Sequence, residues 1–97
     1  MNPIIRSLIE SQDIDEIKEI YKTNPNSLFE TDNKGKNLLH IACEKQNQKT
    51  PSIINFLLDV GFDPLAVDAF FKNSLDIASE NKNVWALSRL KLYFIAR

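Results

Sequence analysis

Apolar side chains recur at three- and four-residue spacings in three stretches of the chain, which is the period of one face of an α-helix. A shorter apolar segment precedes each stretch, and segments rich in Asn, Asp, Gly and Pro separate the resulting pairs. The pattern therefore predicts three helix pairs and an all-α fold. In chain order, the three stretches contain Ile14, Ile17 and Ile20; Ile53, Ile54, Leu57 and Leu58; and Val84, Leu87 and Leu90.

The short apolar segments form an internal repeat. Residues 37–42 match residues 73–78 with an offset of 36 positions, and Asp32 and Asp68 keep the same offset. Leu8 takes the place of the final alanine in a looser first copy. One such helix pair cannot bury its own apolar faces, so neighbouring pairs are expected to stack into a single domain. The repeat units are predicted at about 1–31, 32–67 and 68–97.

The middle unit resembles the ankyrin repeat, which opens with Asp-x-x-Gly-x-Thr-Pro-Leu-His-x-Ala and closes with Leu-Leu-x-x-Gly-x-Asp. Residues 32–42 read Asp-Asn-Lys-Gly-Lys-Asn-Leu-Leu-His-Ile-Ala, and residues 57–63 read Leu-Leu-Asp-Val-Gly-Phe-Asp. The resemblance extends over the whole chain and is strongest for 32–67. It implies an ankyrin-repeat solenoid, a single domain over residues 1–97, built from three helix-turn-helix units that are joined by finger loops.

Several positions depart from the ankyrin pattern. Asn37 replaces the usual threonine, but its side-chain oxygen should still cap the helix that follows. Gly61 is expected to end the outer helix of its unit with a positive φ, and Asn24 is expected to do the same in the first unit. In the third unit Phe71 replaces the finger glycine and Asp76 replaces histidine. The sequence therefore leaves the geometry of the third finger open.

Composition narrows the range of functions. The chain has 97 residues, 43% of them hydrophobic and 26% charged, with a net charge of −1, which fits one globular domain. The charge sums over the three units are −3, 0 and +2, and no basic stripe suited to nucleic acid is present. No signal segment and no apolar run near the roughly 20 residues of a membrane span occurs. We expect a cytoplasmic protein with no nucleic-acid or membrane partner, while delivery into another cell stays open.

The candidates for chemistry all have plain structural interpretations. His40 and the single cysteine, Cys43, could face one metal ion, but two ligands make a poor site and the ankyrin histidine bonds to local backbone. With one histidine and no phosphate-binding loop, we expect no catalytic residue, no cofactor and no metal. The remaining candidates are carboxylates that alternate with isoleucines and should face water: Asp13, Asp15, Glu16 and Glu19.

The resemblance implies a non-enzymatic protein-protein interaction module, acting as an adaptor or as an inhibitor. Partner contacts in such stacks come from the finger tips and the exposed, concave face of the inner helices. Phe70 and Phe71 either anchor a partner at the finger tip or fold back onto the last unit. Carried over position by position, the partner-binding residues are Glu10, Ser11, Asn33, Lys34, Lys36, Glu44, Lys45, Ala69, Phe70, Phe71, Lys72, Glu80 and Asn81. The alternative is that these residues are merely the solvated side.

The last apolar stretch suggests a second surface. Residues 84–95 are apolar nearly all round, whereas the outer face of a terminal repeat should be polar. The helix could wrap over its own core, or it could pair with a partner or with a copy of itself. The alternatives are therefore a self-assembling structural subunit that forms a homodimer through this helix, or a fragment of a longer ankyrin array. The possible second interface consists of Trp85, Leu92 and Tyr93.

Overall fold

The computed structural model describes residues 1–46 and 48–95, and these contain helices and turns but no β-strand. The predicted all-α fold is confirmed. The helices are α1 (Pro3–Glu10), α2 (Ile14–Thr23), α3 (Leu38–Ala42), α4 (Thr50–Asp59), α5 (Ser74–Glu80) and α6 (Val84–Ile95), and a 3₁₀ turn (Pro25–Phe29) follows α2.

The helix starts are specified by local sequence. The side chain of Asn37 accepts a hydrogen bond from the amide of His40, and the His40 ring accepts one from the amide of Asn37 in return. Asn73 and Asp76 form the same reciprocal box at the start of α5. Each box satisfies amides that have no partner inside the helix. Asparagine therefore replaces threonine here without loss of the cap.

The helix pairs stack side by side in two layers. The shorter helices form the inner layer, in which α3 packs between α1 and α5, and α4 packs on α6 in the outer layer. Tyr21 of α2 meets Phe56 of α4 edge to face, with 5.8 Å between ring centroids. Full burial of a large apolar side chain, such as that of Ile54, is worth about 1.5–3 kcal/mol. The core between the layers includes Ile17, Leu39, Ile54, Leu57 and Leu90.

The turn between inner and outer helix is the same in the first and third units. Each contains a residue with positive φ, Gln12 at 61° and Lys82 at 53°. In the first unit the amide of the next residue, Asp13, donates a hydrogen bond to the Leu8 carbonyl at 2.9 Å. In the third unit the amide of Asn83 donates one to the Ala78 carbonyl at 2.8 Å. Leu8 therefore occupies the alanine position of the repeat, as the sequence predicts.

The end of the first outer helix differs from the prediction. Gly61 has φ 113°, as expected for a residue that ends a helix in the left-handed region. Asn24 instead has φ −149°, so the expectation of a positive φ there is wrong. Pro25 explains the difference, because a proline ring clashes with a helical residue before it and forces that residue into an extended conformation.

Candidate functional site

The second finger, residues 32–36, is a tight turn built around the Asp32 carboxylate. Its Oδ1 accepts hydrogen bonds from the backbone amides of Lys34, at 2.8 Å, and of Lys36, at 2.9 Å. The Asp32 amide donates to the Lys36 carbonyl at 3.0 Å, which closes the turn. Gly35 sits at the tip with φ 73°, a left-handed conformation that glycine adopts without steric penalty.

The third finger, residues 68–72, has the same backbone geometry. Asp68 Oδ1 accepts from the amides of Phe70 at 2.8 Å and Lys72 at 3.1 Å, and the Asp68 amide donates to the Lys72 carbonyl at 2.9 Å. Phe71, in the place of the glycine, is held at φ 60°. The geometry that the sequence leaves open is therefore the standard finger, with a bulky residue in a conformation that such residues rarely adopt.

Two bonds connect the fingers directly. The Ala69 amide donates to the Lys34 carbonyl at 2.9 Å, and Lys36 Nζ lies 2.9 Å from Asp68 Oδ2. The Asp68 side chain has no exposed surface. Burial opposes its ionisation, but hydrogen bonds from Lys36 and from backbone amides outweigh burial and lower the pKa of Asp68 from 3.8 to about 2. The two fingers thus form one charged, hydrogen-bonded unit.

His40 joins the second unit to the base of the third finger. Its Nδ1 accepts from the Asn37 amide at 3.0 Å, so Nε2 carries the proton and faces the carbonyls of Ala66 at 2.9 Å and Lys72 at 3.1 Å. Burial lowers the pKa of His40. Both ring nitrogens are therefore engaged with backbone, in agreement with the structural interpretation of this residue.

Cys43, which the sequence offers with His40 as a candidate metal ligand, is buried. Burial raises the pKa of its thiol to about 12, so it is neither a ready ligand nor a ready nucleophile. Within residues 1–46 and 48–95, no group of three or more His, Cys, Asp or Glu side chains is arranged to hold a metal ion.

The two fingers, helix α5 and the turn that follows α3 line a shallow cleft of about 350 Å³. Seven of its eight lining residues belong to the partner-binding set that the sequence predicts. The eighth, Ile77, was missed because its repeat position resembles that of an ordinary core residue, and it is indeed buried. The lining residues are Lys34, Lys36, Glu44, Phe70, Lys72, Ile77, Glu80 and Asn81.

Most charges in the cleft are paired within the chain. Lys36 Nζ lies 3.9 Å from Glu44 in addition to its contact with Asp68. Lys72 Nζ lies 2.7 Å from Glu80, and the hydrogen bond to this carboxylate raises the pKa of Lys72. The cleft is therefore lined by ion pairs that position its side chains.

The aromatic residues of the third finger point into solvent. Phe70 is 60% exposed and Phe71 is 84% exposed. The sequence left two interpretations open, and the exposure of both rings agrees with a finger tip that faces solvent rather than with rings folded back onto the last unit. Their backbone is fixed by the Asp68 turn, which carries both side chains outward.

The other predicted residues lie outside the cleft. They are all exposed. Glu10 is linked to the second finger through Arg6, which lies 3.5 Å from Glu10 and 2.8 Å from Asp32. Ser11 lines a separate depression next to Lys49 and Trp85. The exposed residues outside the cleft are Glu10, Ser11, Asn33, Lys45, Ala69 and Phe71.

Helix α6 has one buried and one exposed apolar face. Ala86 and Leu90 are buried, which fits a helix that covers its own core. Trp85 and Leu92 are 43% and 50% exposed, and Tyr93 is partly buried. Trp85 also borders an apolar groove of about 370 Å³. No helix within the described part of the chain is both long and apolar enough to cross a membrane.

Comparison with known proteins identifies the architecture. No protein-family model and no curated protein matches this sequence. The structure is similar to the crystal structure of EF0377, an ankyrin repeat protein, with a TM-score of 0.77 and 20% sequence identity. The match covers 87% of this chain and 43% of that one, so this chain spans less than half the length of its structural neighbour. Together with the finger turns and the stacked helix pairs, this match shows that the chain adopts the ankyrin-repeat fold.

Proposed function

We propose that this chain is a non-enzymatic protein-binding module whose partner docks on the cleft between the second and third fingers. The ankyrin-repeat fold is in general a protein-protein interaction scaffold. The observation that carries the proposal is Phe70, an aromatic side chain that is 60% exposed and borders a cleft lined by charged residues. Large aromatic side chains that become buried on binding dominate the energetics of many protein interfaces.

The surroundings of Phe70 favour binding because they are already ordered. Its amide is bonded to Asp68, whose carboxylate is bonded in turn to Lys36. A partner therefore need not order this loop, and association loses less conformational entropy than it would with a mobile loop. Recruiting a partner and covering its active surface would use the same cleft, so both the adaptor and the inhibitor role are compatible with this proposal.

The experiment is partner capture from the native source by the purified chain, followed by measurement of affinity with the identified partner. Phe70→Ala should weaken that affinity by more than about 30-fold, as expected for an anchor worth at least 2 kcal/mol. Leu65→Ala is the matched control, because Leu65 is 54% exposed and does not line the cleft. Both variants should keep the wild-type melting temperature. Equal affinity of the wild type and Phe70→Ala would contradict the proposal.

A second candidate function is self-association through α6, and the exposed apolar side chains of that helix favour it. Leu92 and Ile95 are 50% and 80% exposed. A second copy would remove such surface from water, and a further helix pair of a longer array would do the same. Sedimentation equilibrium at increasing concentration tests the first possibility: a dimer should appear and should be lost in Leu92→Asp, whereas a monomer at every concentration excludes it.

A further inference from the structure

One cation that lines the cleft makes no ion pair with a carboxylate of residues 1–46 or 48–95. Lys36 contacts Asp68 and Glu44, and Lys72 contacts Glu80. Within the described part of the chain, no carboxylate pairs with the Lys34 ammonium, although Lys34 lines the same cleft. The formal charges of these six side chains sum to zero, so the position of the unpaired cation, rather than any net charge, characterises this surface.

Lys34 and Phe70 occupy equivalent positions in the two fingers and line the same cleft. Lys34 and Phe70 each lie two positions after the finger aspartate, and each amide donates to the aspartate Oδ1 at 2.8 Å. The bond from the Ala69 amide to the Lys34 carbonyl places the turns next to each other. One finger tip thus presents a positive charge and its neighbour presents an apolar surface.

We propose that the partner presents an Asp or Glu side chain to Lys34, next to an apolar side chain that packs on Phe70. This inference rests on the proposed function, since it names the chemistry of the protein that the cleft binds. A basic residue at the same place would be repelled by Lys34. The acidic groups of the cleft that would attract it, Glu44 and Glu80, are already paired with lysines of the chain.

The charge contact should act mainly on specificity. An ion pair in water contributes about 0.2–1 kcal/mol, because solvent screens it and two long side chains must be held in place. Packing of an apolar side chain on Phe70 excludes some of that water, and complementary charge also accelerates encounter and rejects partners of the wrong sign. Phe70 therefore supplies most of the affinity. Lys34 favours those apolar residues that have an acidic residue beside them.

A peptide selection tests this inference without knowledge of the natural partner. A library of random twelve-residue peptides is selected on the wild-type chain, and affinities of the enriched peptides are measured for four proteins: the wild type, Phe70→Ala, Lys34→Glu and Lys91→Glu. Lys91 is exposed on α6 and does not line the cleft, so its variant carries the same charge change at a remote position.

We expect the enriched peptides to carry Asp or Glu beside a large apolar residue. Their binding should be lost in Phe70→Ala, weakened about fivefold or more in Lys34→Glu at low salt, and unchanged in Lys91→Glu. Replacing the peptide's acidic residue by Gln or Asn should weaken binding to the wild type by less than Lys34→Glu does, because it removes the attraction without adding repulsion. High salt should reduce both effects.

The two proposals fail in different ways. Peptides that need Phe70 but tolerate Lys34→Glu, or that lose nothing when their acidic residue is neutralised, overturn the inference and leave the docking cleft in place. Enriched peptides that bind independently of Phe70, or a library that yields no binder, overturn both the docking cleft and the inference.

Discussion

The second and third fingers have one backbone and opposite tips. In both fingers, an aspartate carboxylate accepts hydrogen bonds from two backbone amides. Each turn also contains a residue in the left-handed region, with φ 73° in the second finger and 60° in the third. The second tip is polar and ends in Gly35, whereas the third is apolar and ends in Phe71. A bulky residue in this conformation costs about 1–2 kcal/mol relative to glycine. The aspartate network thus gives the same turn to a polar tip and to an apolar tip.

The two fingers are also supported unequally. Asp68 is bonded to Lys36, whose side chain is only 16% exposed, and Asp68 itself has no exposed side-chain surface. Asp32 is bonded to Arg6, which is 37% exposed, and keeps 10% of its own side chain exposed. His40 adds two contacts to the base of the third finger. The more strained finger is therefore the one with the more deeply buried support.

The largest expected effect comes from removing that support. Asp68→Ala should lower the free energy of unfolding by about 3 kcal/mol, because it leaves two backbone amides and a partly buried ammonium without an acceptor. Asp32→Ala should cost clearly less, since solvent reaches both members of its ion pair. Urea denaturation of the wild type and both variants measures the difference. Equal losses in the two variants would show that the fingers are supported alike.

Smaller losses should appear as the pH falls, in two windows. The pKa of His40 is lowered by burial in the folded chain, so the unfolded chain takes up a proton first as the pH drops below 6.5, and stability declines from there. The pKa of Asp68 is lowered from 3.8 to about 2, so a further loss should occur between these values. The unfolded state binds more protons in both windows, which gives both effects the same sign.

Urea midpoints measured from pH 8 to pH 2 resolve these windows. His40→Asn should remove most of the decline in the urea midpoint in the upper window, between pH 6.5 and pH 3.8. Asp68→Asn should reduce the decline in the lower window, below pH 3.8. A remainder is expected in the lower window, because burial of Asp32 is outweighed by hydrogen bonds from Lys36 and Arg6, which lower the pKa of this carboxyl as well. A wild-type midpoint that stays constant between pH 7 and pH 5 would contradict the role given to His40.

Local chemistry decided which parts of this fold were predictable. The Asn37 cap of α3 acts within three residues, so the sequence alone identified it. The conformation of Asn24 depends on Pro25, and that of Phe71 depends on bonds to Asp68 that override its own preference. The prediction for Asn24 was wrong because it neglected the next residue, Pro25, and the sequence left the finger geometry at Phe71 open because the bonds to Asp68 decide it. The repeat frame placed seven residues in the cleft, but only the packing of α5 shows that Ile77 reaches it.

The smallest expected effects come from substitutions at the two finger tips, Gly35 and Phe71. These substitutions also test the comparison of the fingers most directly. Gly35→Ala should destabilise the chain by about 1 kcal/mol or more, because φ is positive and the new methyl group would lie 3.0 Å from the Ala69 amide nitrogen. Phe71→Gly should have the opposite sign, with stabilisation of at most about 1 kcal/mol, since relief of strain is partly offset by the greater freedom of glycine in the unfolded chain.

Measurements of partner binding test whether the strained conformation of Phe71 serves docking. If the aromatic tip serves docking, Phe71→Gly should raise the urea midpoint and yet weaken partner capture, and the two measurements should move in opposite directions. Phe71→Asn is the informative control, because asparagine tolerates the left-handed conformation but offers no apolar surface. A Phe71→Gly variant that is both less stable and unchanged in binding would mean that the ring stabilises the fold, and that the third finger resembles the second in function as well as in backbone.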